Sequence, residues 1–152
     1  MTNKLDLQSI LSNAVQAKRQ EELKTSPQLT LGEIILKLES VKNKKLPVVF
    51  DIKKYHPMGI DSWRGSYCEL ALEYIEEGES MVLGSFTKML KDTIGKTLIG
   101  YKGGDFLMGR ITPVWVANNG ECGGFREDGN TAVIDVLENK KAVIIKTKEM
   151  EY

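Results

Sequence analysis

The chain has 152 residues, 21 basic and 21 acidic side chains, 41% apolar residues and one histidine. A formal charge of zero disfavours bulk binding to duplex nucleic acid, which draws its affinity from a basic domain or stripe. No apolar run approaches the roughly 20 residues that span a bilayer, and the first twenty residues lack the continuous apolar stretch of a secretory signal. These features predict a cytoplasmic protein with no duplex nucleic acid and no membrane as partner, and with Cys68 and Cys122 reduced.

Residues 1–27 are read as an N-terminal amphipathic helix and linker. Leu7, Ile10, Leu11, Ala14 and Val15 fall at helical spacing, and Pro27 stops the helix. The arm either packs on its own domain or reaches a second copy, which would make a homo-oligomer. Residues 28–152 are read as one α+β domain. Thr30 to Glu33 fits a capping box, and Leu31, Ile34, Ile35, Leu38 and Val41 form one apolar stripe, so a helix is predicted to run to Lys42–Lys45. Leu46 to Ile52 then reads as a buried strand with Pro47 at its start.

Asp51 to Tyr74 is the stretch richest in chemistry, holding His56, Trp63, Arg64, two tyrosines and several carboxylates. Pro57, Gly59 and Gly65 mark it as a loop, followed by a strand over Ser66 to Ile75. The acidic run Glu76 to Ser80 reads as a solvated turn. A second helical stripe covers Val82 to Thr93 with Gly95 as its stop. Leu31-Gly32-Glu33-Ile34 echoes Leu83-Gly84-Ser85-Phe86, and two helix-then-strand units in one sheet would explain the echo. Strands are predicted at Thr97 to Tyr101 and Pro113 to Ala117, with Lys102 to Asp105 a tight turn and Phe106 to Met108 a short strand. Thr131 to Leu137 and Ala142 to Lys146 flank a hairpin turn. The predicted fold is α+β: a mainly antiparallel sheet, two helices on one face and the N-terminal helical arm.

One histidine and two distant cysteines leave no zinc-ligand spacing, and no cofactor is expected. No nucleophile elbow or ordered triad is present. His56 therefore reads as a loop residue bonding backbone or as an acid–base group. Ligand binding is the favoured reading. Tyr55, Trp63, Tyr67 and Trp115 offer flat faces and Arg64 and Lys102 anion contacts. His56, Asp61, Ser62, Asn118 and Asn119 offer polar readout, and Gly103 lets backbone approach a ligand. Arg64 is equally readable as a clamp on Asp61 or Asp51. The expected ligand is an anionic, nucleotide-like small molecule. The alternatives are an enzyme acting on such a molecule, with His56 or Asp61 as acid or base, and an inhibitor of a host protein.

The succession Leu29-Thr30-Leu31-Gly32-Glu33, Val48-Val49-Phe50-Asp51, Asp61-Ser62-Trp63-Arg64-Gly65, Tyr101-Lys102-Gly103-Gly104 and Trp115 to Glu121 resembles small uncharacterised proteins of phages and bacteria, from Leu29 onward. The resemblance carries no activity over. It implies a phage-associated role in a host cell, such as counter-defence by sequestering a nucleotide signal or blocking a host protein.

Overall fold

The computed structural model describes residues 14, 17–18, 21–22, 24–52, 54–63, 68–99, 105–118, 121, 123–125 and 129–151. The expected N-terminal helix lies almost wholly outside them. Ten elements follow in chain order. They are α1 (Leu31–Glu39), β1 (Val48–Phe50), β2 (His56–Ser62), β3 (Leu70–Ile75), α2 (Leu83–Thr93), β4 (Thr97–Ile99), β5 (Asp105–Leu107), β6 (Val114–Val116), β7 (Asn130–Glu138) and β8 (Val143–Met150).

The capping box of α1 forms as its residues dictate. The Thr30 hydroxyl accepts from the Glu33 N–H at 3.3 Å, and the Glu33 carboxylate accepts from the Thr30 N–H at 3.0 Å. The helix stops at Glu39, earlier than its apolar stripe implies. Lys44 Nζ reaches back to the Glu39 carbonyl at 3.2 Å, so a basic residue closes the C-terminal end from beyond the helix.

The α+β class is seen, but the sheet is mixed rather than mainly antiparallel. Its order is β1-β8-β7-β6-β3-β2, with β1–β8 and β3–β6 parallel and the other three pairs antiparallel. The two end strands meet through the Phe50 N–H, which donates to the Tyr55 carbonyl at 3.0 Å, and nearly close the sheet into a barrel. β4 and β5 form a separate two-stranded sheet. The stretch expected as a loop after Asp51 is instead largely strand β2. Pro57 and Gly59 are tolerated there because β2 ends the sheet, where a missing N–H breaks no ladder, and because a bulge separates the two residues.

The core joins both helices to one face of the sheet: Leu31, Ile34, Ile35 and Leu38 of α1, Leu83, Phe86 and Leu90 of α2, and Val48, Phe50, Leu70, Leu72, Val114, Val116, Val143 and Ile145. A smaller cluster, Trp63, Ala71, Trp115, Ala117 and Ala132, lies on the opposite face. At roughly 25 cal/mol per Å2 of apolar surface removed from water, the larger cluster is the main source of stability.

The chain folds as two equivalent halves. In the first, the Leu31 and Gly32 N–H groups donate to the Thr112 and Arg110 carbonyls. Thr30 bridges Pro113, and the Val114 N–H donates to the Leu29 carbonyl. In the second, Leu83 and Gly84 donate to Leu46 and Lys44, Val82 bridges Pro47, and Val48 donates to Met81. The strands obey the same correspondence. Leu70 and Ala117 donate to Pro113 and Leu72 as Val143 and Asp51 donate to Pro47 and Ile145. The bulge between Pro57 and Gly59, opposite Tyr74 and Glu73, matches the one between Val133 and Asp135, opposite Thr147 and Lys146. Each half is a hairpin, a helix and a strand parallel to the second hairpin strand. The chain ends fall between β8 and α1, at the point where residues 76–82 join β3 to α2 in the other half.

Candidate functional site

The paired halves show where this chain departs from its own pattern. In the half containing α1, Asp135 of β7 stands beside Lys146 of β8, and Lys37 of α1 closes the space between helix and hairpin with an ion pair to Asp135 at 3.3 Å. Burial alone would raise the Asp135 pKa. The Val136 N–H, Lys37 and Lys146 outweigh it and hold the carboxyl below its ordinary range.

The corresponding residues of the other half are Gly59 for Asp135, Glu73 for Lys146 and Met89 for Lys37. No ion pair forms among them, and a cleft of about 510 Å3 lies there, lined by Gly59, Ile60, Glu73, Ser85, Lys88, Met89, Asp92, Thr93, Lys96 and Leu98. That volume is within the range of small-molecule sites.

Each wall follows from its element. Ser85, Lys88, Met89 and Asp92 recur at the three- and four-residue spacing that places them on one side of α2. Lys88 donates to Asp92 at 2.7 Å and is thereby committed. Lys96, just before β4, is exposed, and its side chain forms no hydrogen bond or ion pair with the described residues, although its charge helps to lower the Asp92 pKa. Glu73 is half-buried and leans over Gly59: a Cβ on Gly59 would stand 2.9 Å from Glu73 Oε1. Glycine is therefore what makes room for the carboxyl. Burial, and then the nearby Asp61 carboxylate, raise the Glu73 pKa. Among the described residues nothing hydrogen-bonds or neutralises it.

Of the residues singled out in the sequence, Tyr55 and Asn118 fall in one group and Trp63 and Trp115 in another, and none of the four lines the cleft. Tyr55 stacks on Phe125 at 5.2 Å and 4°, with Tyr74 edge-on to both rings. Asn118 joins this group, accepting from the Tyr74 N–H at 2.9 Å, while Tyr74 Oη donates to Glu121 at 2.9 Å. Burial first, and then Glu121, push the Tyr74 phenol up to about 12. Trp63 and Trp115 form the second group on the other sheet face, stacked at 4.4 Å, where Trp115 Nε1 donates to the buried Glu69 carboxylate at 2.7 Å. Both groups are packing. His56 is buried, with its Nε2–H donated to the Glu77 carbonyl at 3.0 Å and its Nδ1 buried without a partner. Asp61 accepts from the Ser62 N–H, and its charge reaches the cleft through Glu73. Arg64, Tyr67, Lys102, Gly103 and Asn119 lie outside the described residues.

Glu73, Ser85, Lys88, Met89, Asp92, Thr93 and Lys96 were not legible as site residues. The echo between Leu31-Gly32 and Leu83-Gly84 was a usable signal for the helices alone: carried along α1 and α2 it sets Met89 against Lys37, whereas Gly59 against Asp135 follows only from the strand pairing. The first N–H groups of both helices are used by carbonyls of the chain itself, so neither helix offers a ready anion site. Among the described residues, no group of three or more His, Cys, Asp or Glu is placed to hold a metal, and no helix is long and apolar enough to cross a membrane. No family model matches the chain, and neither a search of curated proteins nor one of solved structures finds a relative.

Proposed function

We propose that the protein is a binding protein for a small molecule carrying an anionic group, nucleotide-like in size, held in the cleft between α2 and the β2–β3 hairpin. The observation that carries this reading is the broken equivalence of the two halves. The same location is sealed by Lys37 and Asp135 in one half and left open by Met89 and Gly59 in the other. Lys96 is the lining cation whose ammonium makes no hydrogen bond or ion pair among the described residues, and Ile60, Met89 and Leu98 supply the apolar wall usual in ligand sites.

The test copies the sealed half onto the open one. Gly59→Asp, Glu73→Lys and Met89→Lys together reproduce the Asp135, Lys146 and Lys37 arrangement. Wild type and triple variant are each mixed with a pool of nucleoside mono-, di- and triphosphates, and the retained species are read by mass spectrometry. Wild type retains a phosphorylated species, and the triple variant folds but retains none. Retention by both proteins, or by neither, would overturn the reading.

A further inference from the structure

We propose that the ligand presents a pair of N–H donors to the Glu73 carboxyl, as a guanine edge or a guanidinium does, with its anion at the Lys96 end. This rests on the binding reading above and deepens it.

Three observations lead there. First, the Glu73 carboxyl is half-buried and, among the described residues, makes no hydrogen bond. A carboxylate is acceptor-only with about four lone-pair sites, so its whole acceptor capacity is open to a ligand. Second, Glu73 stands where the other half has Lys146, and the carboxylate of that half, Asp135, is neutralised from two directions, by Lys37 at 3.3 Å and by Lys146. In the open half no cation replaces them beside Glu73, and the charge that acts on its carboxyl is another carboxylate, Asp61. The bound molecule must supply the missing donors, and two parallel N–H groups meeting two oxygens is the strongest such arrangement. Third, the lining beside Glu73 has a bare glycine backbone and a Met89 thioether, with Ile60 and Leu98 nearby. The space beside Gly59 is taken by the Glu73 carboxyl itself, which leaves the Met89 thioether as the neighbouring wall, and a thioether packs well against a flat π system. That wall suits a planar group better than a tetrahedral ammonium.

Calorimetry on the full chain tests this with five probes: GMP, AMP, ribose 5-phosphate, L-arginine and L-norleucine. GMP offers adjacent N–H donors where AMP does not, and arginine carries guanidinium and carboxylate where norleucine lacks the guanidinium. A preference of at least tenfold for GMP over AMP, or for arginine over norleucine, supports the proposal, and which pair shows it identifies the source of the donors. Glu73→Gln should remove that preference, since an amide oxygen is a single acceptor. The variant's melting temperature, expected at or above that of wild type, shows that it folds. Equal binding within both pairs, or a preference that survives in Glu73→Gln, overturns the proposal. In that case ribose 5-phosphate binding that is lost in Lys96→Gln leaves the anion reading standing. Absence of all phosphorylated probes from wild type removes that reading as well.

Discussion

Burial, and then the Asp61 carboxylate, raise the Glu73 pKa in the folded state. Its folded pKa lies above the unfolded value. The stability it contributes is therefore full below the ordinary carboxylate range and is lost as pH rises through the folded pKa. Glu73→Gln removes this loss. Melts between pH 4 and pH 7 should show the variant gaining on wild type as pH rises, by less than about 1 kcal/mol because solvent screens the group. Asp135 runs the other way. Its lowered pKa gives stability present above the unfolded value and lost as pH falls through the folded one, so Lys37→Met should cost more at pH 7 than at pH 3. Residue types alone did not point to the lining of the cleft. Aromatic rings and asparagines serve packing and binding equally, and here Trp63 stacks on Trp115 while Asn118 pins Tyr74. Glu73, inside Leu70-Ala71-Leu72-Glu73-Tyr74-Ile75, reads as an ordinary outward residue of a strand, since nothing local reveals that the position opposite is glycine.

At the scale of elements, α1, α2 and the β7–β8 hairpin were readable because each buries its apolar stripe locally, and spacing reports that directly. The edge strand β2 was not, since its Pro57 and Gly59 break the alternation and only pairing to β3 makes it a strand. Parallel pairs such as β1 with β8 join residues nearly a hundred positions apart, and no local pattern encodes them. The loop after β6 illustrates the same limit. Its Gly124 takes φ +72°, and a Cβ there would collide with the Val116 carbonyl and the Thr131 side chain. Gly124→Ala therefore combines backbone strain with a steric clash and should cost on the order of 3 kcal/mol in urea unfolding. Trp115→Phe deletes the donor to the buried Glu69 carboxylate and should cost roughly 2 kcal/mol. If either variant melts with wild type, the loop or the second cluster contributes less than its burial implies.

At the scale of the whole molecule, the repeat fixes where the chain can be cut and joined. Glu77 and Met81 of one half correspond to Met150 and Leu29 of the other. The first pair flanks Gly78, Glu79 and Ser80, so three residues should also span from Met150 to Leu29. A permuted chain would begin at Lys141, run through Met150, Gly-Glu-Ser and Leu29, and end at Lys140. Its new ends lie in the exposed turn between β7 and β8, where insertions and breaks are best tolerated. It omits residues 1–28 and 151–152, and with the former the Gln28 hydrogen bond to the Val114 carbonyl. Every described backbone contact of Leu29 with Val114 and Val133 is kept. The expected outcome is a cooperative melt within about 3 kcal/mol of the parent, or roughly 10 °C at 2–4 °C per kcal/mol for a chain of this length. Because the cleft belongs wholly to the uncut half, its ligand affinity should be unchanged. A permuted chain that fails to melt cooperatively would mean that β8 and α1 are not spaced as β3 and α2 are, and the inference of a site from broken equivalence would lose its footing.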